Sequence, residues 1–461
     1  MLINKLTTAF GDHSSLLPLF TKDIVNSSGM TAFSYNAGGK IEAKDRFIDE
    51  FGTQAIWMGG LPFFKWAIDN SVYKLAKINP DIDVRLLNDA QQLEVAKKYA
   101  ASLENKSIAE SLEKAAKYSA KTKGLFIGKF AAATALTLAS FFTLVKVKQH
   151  YTKKEIEKQF WAKKSQQQMY DLNLAKSPAF KAFMSSDSKN VNQGSKTPSF
   201  KGIGSVLQGV MFDPVKNLFI VDAGITGERL VNSRTKTEFA ETAIKEGSLL
   251  FFLYVAGRYI QEGIEKASEK FFKKPIDLHA EVLSSDYMKD AIKTGKVYDD
   301  VKAVTDLASD KKKLFELIYG SEKTSAENIV MKAAKKSGLI KTIKEGSWID
   351  KLLGKAKDTG IIDPHQYINP DDMQSFAKNI KKLADSAPKG EKAIEEFLKK
   401  CRNMKIGSVA ANMGITCLFL GLIVPYSMMK YRAKQQNGNK DFHVQAEIER
   451  QLEKSFKGRI S

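Results

Sequence analysis

Two stretches break with the otherwise mixed apolar and polar patterning of the chain. Residues 406–429 run for 24 positions without a charge, between Lys399, Lys400, Arg402 and Lys405 on one side and Lys430, Arg432 and Lys434 on the other. About 20 apolar residues suffice for a helix to cross a hydrocarbon core about 30 Å thick. Tyr426 and Tyr431 stand near one end, where interfacial aromatics gather, and Pro425 falls in the last turns, where a kink is tolerated. The run predicts a transmembrane helix. Residues 124–145 predict a second: positions 130–145 carry no charge, and Lys129 is close enough to the end to reach the interface. Ala131, Ala135 and Ala139 recur every fourth residue, as do the pairs Gly407 with Ala411 and Ala410 with Gly414. Ridges of this kind let helix backbones approach closely, so the two helices are expected to pack on each other.

Two shorter apolar stretches have half the needed length. Residues 51–64 are charge-free but contain Gly59, Gly60 and Pro62, poor helix formers that suggest a re-entrant hairpin, a kinked half-helix or a buried turn. Residues 247–257 end at Arg258 and are preceded by Glu241, Lys245 and Glu246. If that segment spans, those charges need protein partners or a wet cavity. Arg258 and Glu262 are four apart and are expected to pair on one helix face. The expected arrangement is a half-buried helix packed on the spanning ones.

The remaining regions read as amphipathic helix. Residues 82–112 follow the i, i+3/i+4 pattern after Pro80. Residues 146–170 continue from the second span and interleave Lys146, Lys148, Lys153, Lys154 and Lys158 with Trp161 and other aromatics, a pattern suited to an anionic lipid surface. Residues 176–201, rich in Ser, Lys and Asn, read as a linker. Beyond residue 274, Thr324 and Glu327 form a capping box ahead of Gly338, and Asn369-Pro370 opens another helix. No alternating strand pattern of useful length stands out there. Val444, Ile448, Leu452 and Phe456 place one apolar stripe on the tail, suited to the protein, to lipid or to a second copy.

The fold class that follows is all-α: a helical membrane protein with two transmembrane helices, two shorter half-buried hydrophobic segments and a helical extramembrane domain. The expected divisions are an N-terminal region 1–123, spans 124–145 and 406–429, and a basic helix and linker 146–201. A central apolar region 202–273, the extramembrane domain 274–405 and a basic tail 430–461 complete them.

Charge narrows the partners. The formal net charge is +20, and only nine of the 72 basic residues are Arg. Base readout and bidentate phosphate contacts favour guanidinium, so sequence-specific nucleic-acid binding is not expected, and anionic membrane lipids are the expected partners, with a protein partner or self-association beside them. Cys401 and Cys417 are too few for a disulfide framework or a four-thiolate metal site, and both are expected as free thiols. Gly11, Asp12 and His13 interrupt the N-terminus before a signal-peptide core develops.

Candidate chemistry is sparse. The five histidines are scattered without a ligand at metal-binding spacing. Gly202–Gly204 and Gly224–Gly227 lack the context of a phosphate loop, and a Gly-x-Ser-x-Gly elbow is missing. Neither a catalytic residue, a metal nor a cofactor is therefore expected. The expected function is a membrane-anchored structural or interaction protein that tethers a basic helical domain without catalysis. An oligomeric pore or small transporter using Glu246 and Arg258 is the alternative, and a large soluble helical binding protein is the third.

Overall fold

The computed structural model describes residues 2–11, 16–172, 214–320, 328–346, 357–435 and 443–460, and helices make up 84% of it. The linker 176–201, Gly202 with Gly204, and the Thr324–Glu327 pair lie outside the described residues.

A bundle of long helices forms one half of the molecule. The Leu16–Ala55 helix continues through a π-helical turn at Ile56–Gly60 into the Leu61–Ile68 helix and on to Ala76. Gly39, at φ 73° and ψ −160°, folds this length back on itself, because only a residue without Cβ takes that conformation at little cost. The two legs then lie side by side: Trp57 Nε1 donates to Asp23 at 3.2 Å, and Gln54 Nε2 to Ser27 at 2.8 Å. Residues 51–64 are thus continuous helix, and the hairpin expected there sits at Gly39. The π-helical turn directly precedes Pro62 and absorbs the loss of that residue's N–H without breaking the helix.

The Ser119–Leu172 helix runs along the second leg and buries Ala133, Thr137, Phe141, Val145, Lys148, Thr152 and Ile156, a face with the helical repeat. The Pro214–Val231 helix lies beside it in the same direction, with Arg229 over the ring of Phe141 and Gln149 bonded to Asn232. The Lys236–Leu250 helix returns, widens into a π-helical turn at Phe251–Ala256 and ends as the Gly257–Phe272 helix. The last leg is the Glu391–Leu418 helix, which passes through a π-helical turn into the Val424–Gln435 helix. Gly29 meets this leg backbone to backbone: a Cβ on Gly29 would stand 2.2 Å from the carbonyl oxygen of Gly421.

Two lengths, Ser119–Ser165 and Glu391–Lys434, are long and apolar enough to cross a membrane. Both start at the same end of the bundle and run in the same direction. Only 22% and 28% of their most apolar windows are buried, so these surfaces face outward. A core helix of a water-soluble protein would show the reverse.

The other half is a helical domain with its own core. Phe315, Ile318, Met331, Met373, Ile380 and Phe397 pack with Leu86, Val95, Ala96 and Leu112. The domain thus draws on residues well before the 274 boundary read from the sequence. Residues 82–112 are two helices, Ala90–Ser102 and Lys106–Lys117, capped by Asp89 and Asn105. Asn328 caps the Ile329–Ser337 helix, with Gly338 at its left-handed end, and Asn369 caps the Pro370–Asp385 helix. The strands Thr342–Glu345 and Lys357–Ile362 pair antiparallel, an addition to the expected all-helical reading. They are too short and too polar to show an alternating pattern in the sequence. The Glu391 helix joins the halves, with Ile394, Phe397, Leu398 and Cys401 in the domain core and later residues in the bundle.

Candidate functional site

The bundle has an apolar core around Trp57, Phe141, Val221, Leu253 and Leu420, but it also buries many charged side chains and exposes many apolar ones. On the Lys236 helix Glu241, Thr242, Lys245 and Glu246 face inward, while Phe239 and Ile244 are exposed. On the Leu16 helix Lys22, Asp23, Asn26, Ser27 and Ser34 are buried, then Glu42, Asp45, Arg46, Asp49 and Glu50. Phe47, Phe63, Trp66, Phe142, Phe251, Leu418 and Leu422 stand on the outside. Charges at helical spacing usually mark the solvated face. Here many of them mark the interior, while rings such as Phe47, Phe63, Trp66 and Phe142 point out.

The inward charges assemble at the end of the bundle reached by Val145 and Met429. Arg229 bonds Glu246 and lies 3.4 Å from Asp49; Lys148 lies 3.3 Å from Asp49. Lys245 forms ion pairs with Glu50 and, at 2.8 Å, with Glu246. Arg234 reaches Asp45 at 3.3 Å and Glu238 at 2.7 Å. Arg432 grips Glu241 through Nε and Nη2, each at 2.8 Å, and Glu42 through Nη1 at 2.6 Å, with Arg46 3.6 Å from Glu241. Seven carboxylates thus interlock with six cations. Burying such groups is tolerable only because each meets opposite charge. Glu246, with Lys245 and Glu241 before it, therefore meets the condition set for residues 247–257: its partners come from protein.

Toward the other end the interior changes character. Tyr254 donates to Asp222, Gln261 to Ser408 at 3.0 Å, and Lys405 pairs with Glu265 at 2.5 Å. A cavity of about 350 Å³ opens here, lined among others by Lys22, Lys216, Arg258 and Asn412 against Leu19, Phe219 and Leu253.

Of the residues singled out in the sequence, Lys146, Lys153, Lys154 and Lys158 are exposed and Trp161 is half-buried. Lys148 departs from that set, because its place on the buried face of the Ser119 helix turns it into the network. Arg258 pairs with Glu262 at 2.7 Å on the exposed face, whereas Glu246 is buried at the opposite end, so the structure does not bring Glu246 and Arg258 together. Ala131, Ala135, Ala139, Gly407, Ala411 and Gly414 are all exposed, and the two apolar helices do not meet along these ridges. The close approach falls instead at Gly29 and Gly421, and its partner helix was hidden by the charges of the Leu16 helix. The start of the tail stripe docks on the protein: Val444 is buried against Ile41 and Ile156, with Ile448 beside it.

The domain holds one arrangement that sequence reading missed. Ser111 Oγ lies 2.7 Å from His365 Nε2, and His365 Nδ1 lies 3.0 Å from Asp363. The spacing is that of a Ser-His-Asp relay. Ser111, however, sits inside a regular helix and lies 2.8 Å from the carbonyl of Ile108, and His365 is 7% exposed. The set therefore reads as a lock between the Lys106 helix and the segment before Asn369. Burial opposes the charge on Asp363, but the ring and backbone N–H of His365 hold its carboxyl below the usual range. Among the described residues no group of three His, Cys, Asp or Glu side chains is arranged to hold a metal ion. No protein-family model, curated protein or solved structure matches the chain.

Proposed function

We propose that this chain is a multi-pass membrane protein that holds its helical domain against one membrane face, acting by tethering and positioning without a chemical step. The observation that carries the reading is the bundle's outer surface: its most apolar windows are 22% and 28% buried while many of its charges lie inside. In water that surface would be a large exposed apolar patch; in lipid it is the solvated face. The unbroken passage of the Glu391 helix from the domain core into the bundle makes the attachment rigid. Exposed Lys146, Lys153, Lys154 and Lys158 follow directly on the apolar part of the Ser119 helix, where anionic headgroups would meet them. Alkaline carbonate extraction tests the reading: the protein is expected in the membrane pellet, and release to the supernatant would overturn it.

A second reading, a pore or small transporter, is favoured by the charged interior alone. It predicts ion flux into liposomes above that of empty vesicles, altered by Glu246→Ala or Arg258→Ala. Flux at the level of empty vesicles would discard it.

A further inference from the structure

The charges at the far end of the bundle pair with one another, but Lys22 does not take part. Its side chain is 4% exposed, as buried as Lys148 or Lys245, which both contact carboxylates. Lys22 has no hydrogen-bond or ion-pair partner among the described residues. Its neighbour Asp23 is turned away, toward Trp57. A buried ammonium without a counter-charge is costly, and inside a bundle of this kind it marks a place where a charge is meant to arrive.

The surroundings say what arrives. Lys22 lines the cavity of about 350 Å³, a volume within the usual range for small-molecule sites. Lys216 and Arg258 also line it, and among the described residues no carboxylate does. Asn412 is 8% exposed, and its Oδ1 is buried without a hydrogen-bond partner. Lys22 and Asn412 converge on the bare backbone of Gly257: a Cβ there would lie 2.8 Å from Lys22 Nζ and 3.8 Å from Asn412 Oδ1. The opposite wall is apolar, with Leu19, Phe219 and Leu253.

We infer that this cavity binds an anionic amphiphile, a carboxylate or phosphate head on an apolar body. Lys22 meets the head, the Nδ2 of Asn412 donates to it, with Oδ1 free to face the Lys22 ammonium, and the apolar wall takes the body. A lipid-derived and a water-soluble organic anion share this chemistry, and the proposal holds whether or not the bundle moves a solute.

The test uses the full chain in a neutral detergent, with ligand-induced thermal stabilisation giving the affinity. Probes are octanoate, octyl phosphate, inorganic phosphate and octyltrimethylammonium. Saturable stabilisation by octanoate or octyl phosphate is expected, and none by the cationic amphiphile. If octanoate and octyl phosphate both bind, an added excess of anionic phospholipid that displaces them identifies a lipid source, and failure to displace them a soluble one. Lys22→Met should weaken binding about 10- to 100-fold, the loss of one charge-assisted contact. Gly257→Ala puts a methyl where Nζ now lies; because Lys22 is flexible the fold is kept, and binding should fall several-fold. That variant carries the test if Lys22→Met does not fold. Affinities within twofold of the parent in both variants, or equal binding of the cationic probe, would overturn the proposal. Inorganic phosphate binding as tightly as octyl phosphate would overturn the assignment of the apolar wall.

Discussion

Replacing Arg432 with Leu removes the centre of one arm of the charge network. Arg432 makes three hydrogen bonds of 2.6–2.8 Å to Glu42 and Glu241, whose side chains are fully buried. The substitution leaves both carboxylates without their main partner, and breaking a buried pair in this way costs about 3–5 kcal/mol. Arg46 stays within 3.6 Å of Glu241 and offsets part of the loss, which places the expected effect near the lower bound, about 3 kcal/mol. At roughly 2–4 °C per kcal/mol for a unit of this size, the apparent Tm in detergent should fall by about 6–12 °C. Adding Glu241→Gln to the Leu variant should recover part of that loss, because the stranded charge is gone, whereas Glu241→Gln alone should destabilise. A Tm within about 2 °C of the parent, smaller than one kcal/mol predicts, or a second substitution that lowers Tm further, would refute the reasoning that pairing makes these charges tolerable.

Three further outcomes are expected. Gly29→Ala drives a methyl into the Gly421 carbonyl and should cost about 1–3 kcal/mol in thermal unfolding, while Gly59→Ala, which faces open space, should be neutral or stabilising. Ser111→Ala should lower domain stability by about 1–3 kcal/mol and leave p-nitrophenyl acetate hydrolysis at background; hydrolysis present in the parent and lost in the variant would make Ser111 a nucleophile. Asp363 has a lowered folded pKa, so its stabilising effect is complete above the unfolded value of about 4 and is lost as pH falls toward the folded one. Asp363→Asn should therefore flatten the domain's loss of stability in acid, read as Tm against pH.

The two apolar helices, the caps at Asn369 and Gly338 and the docking stripe of the tail were legible because each follows from local composition or spacing. The rest of the bundle was not. A segment such as 236–250 carries charge at Glu241, Lys245 and Glu246, and a reading by mean apolarity stops at each of them. Only three-dimensional pairing, of Glu241 with Arg432 or Glu246 with Arg229, shows that these charges point inward. Partners in this network are up to 390 residues apart in sequence, beyond any periodicity. The small-residue ridges failed for a related reason: Ala131 and Gly407 face outward, and the glycines that matter sit singly on helices whose charges hid their role.

The account rests on the bundle spanning a membrane with the domain at one face and the charge network at the other. Both apolar helices run from the domain end to the charged end, so a bundle that spans a membrane as proposed puts exposed Lys381 and exposed Lys153 on opposite sides. Single cysteines at these positions, in a chain with Cys401 and Cys417 replaced by Ala, can be probed with a membrane-impermeant maleimide in sealed, uniformly oriented vesicles. A spanning bundle gives labelling of one of the two before detergent and of both after. Labelling of both in sealed vesicles would contradict it.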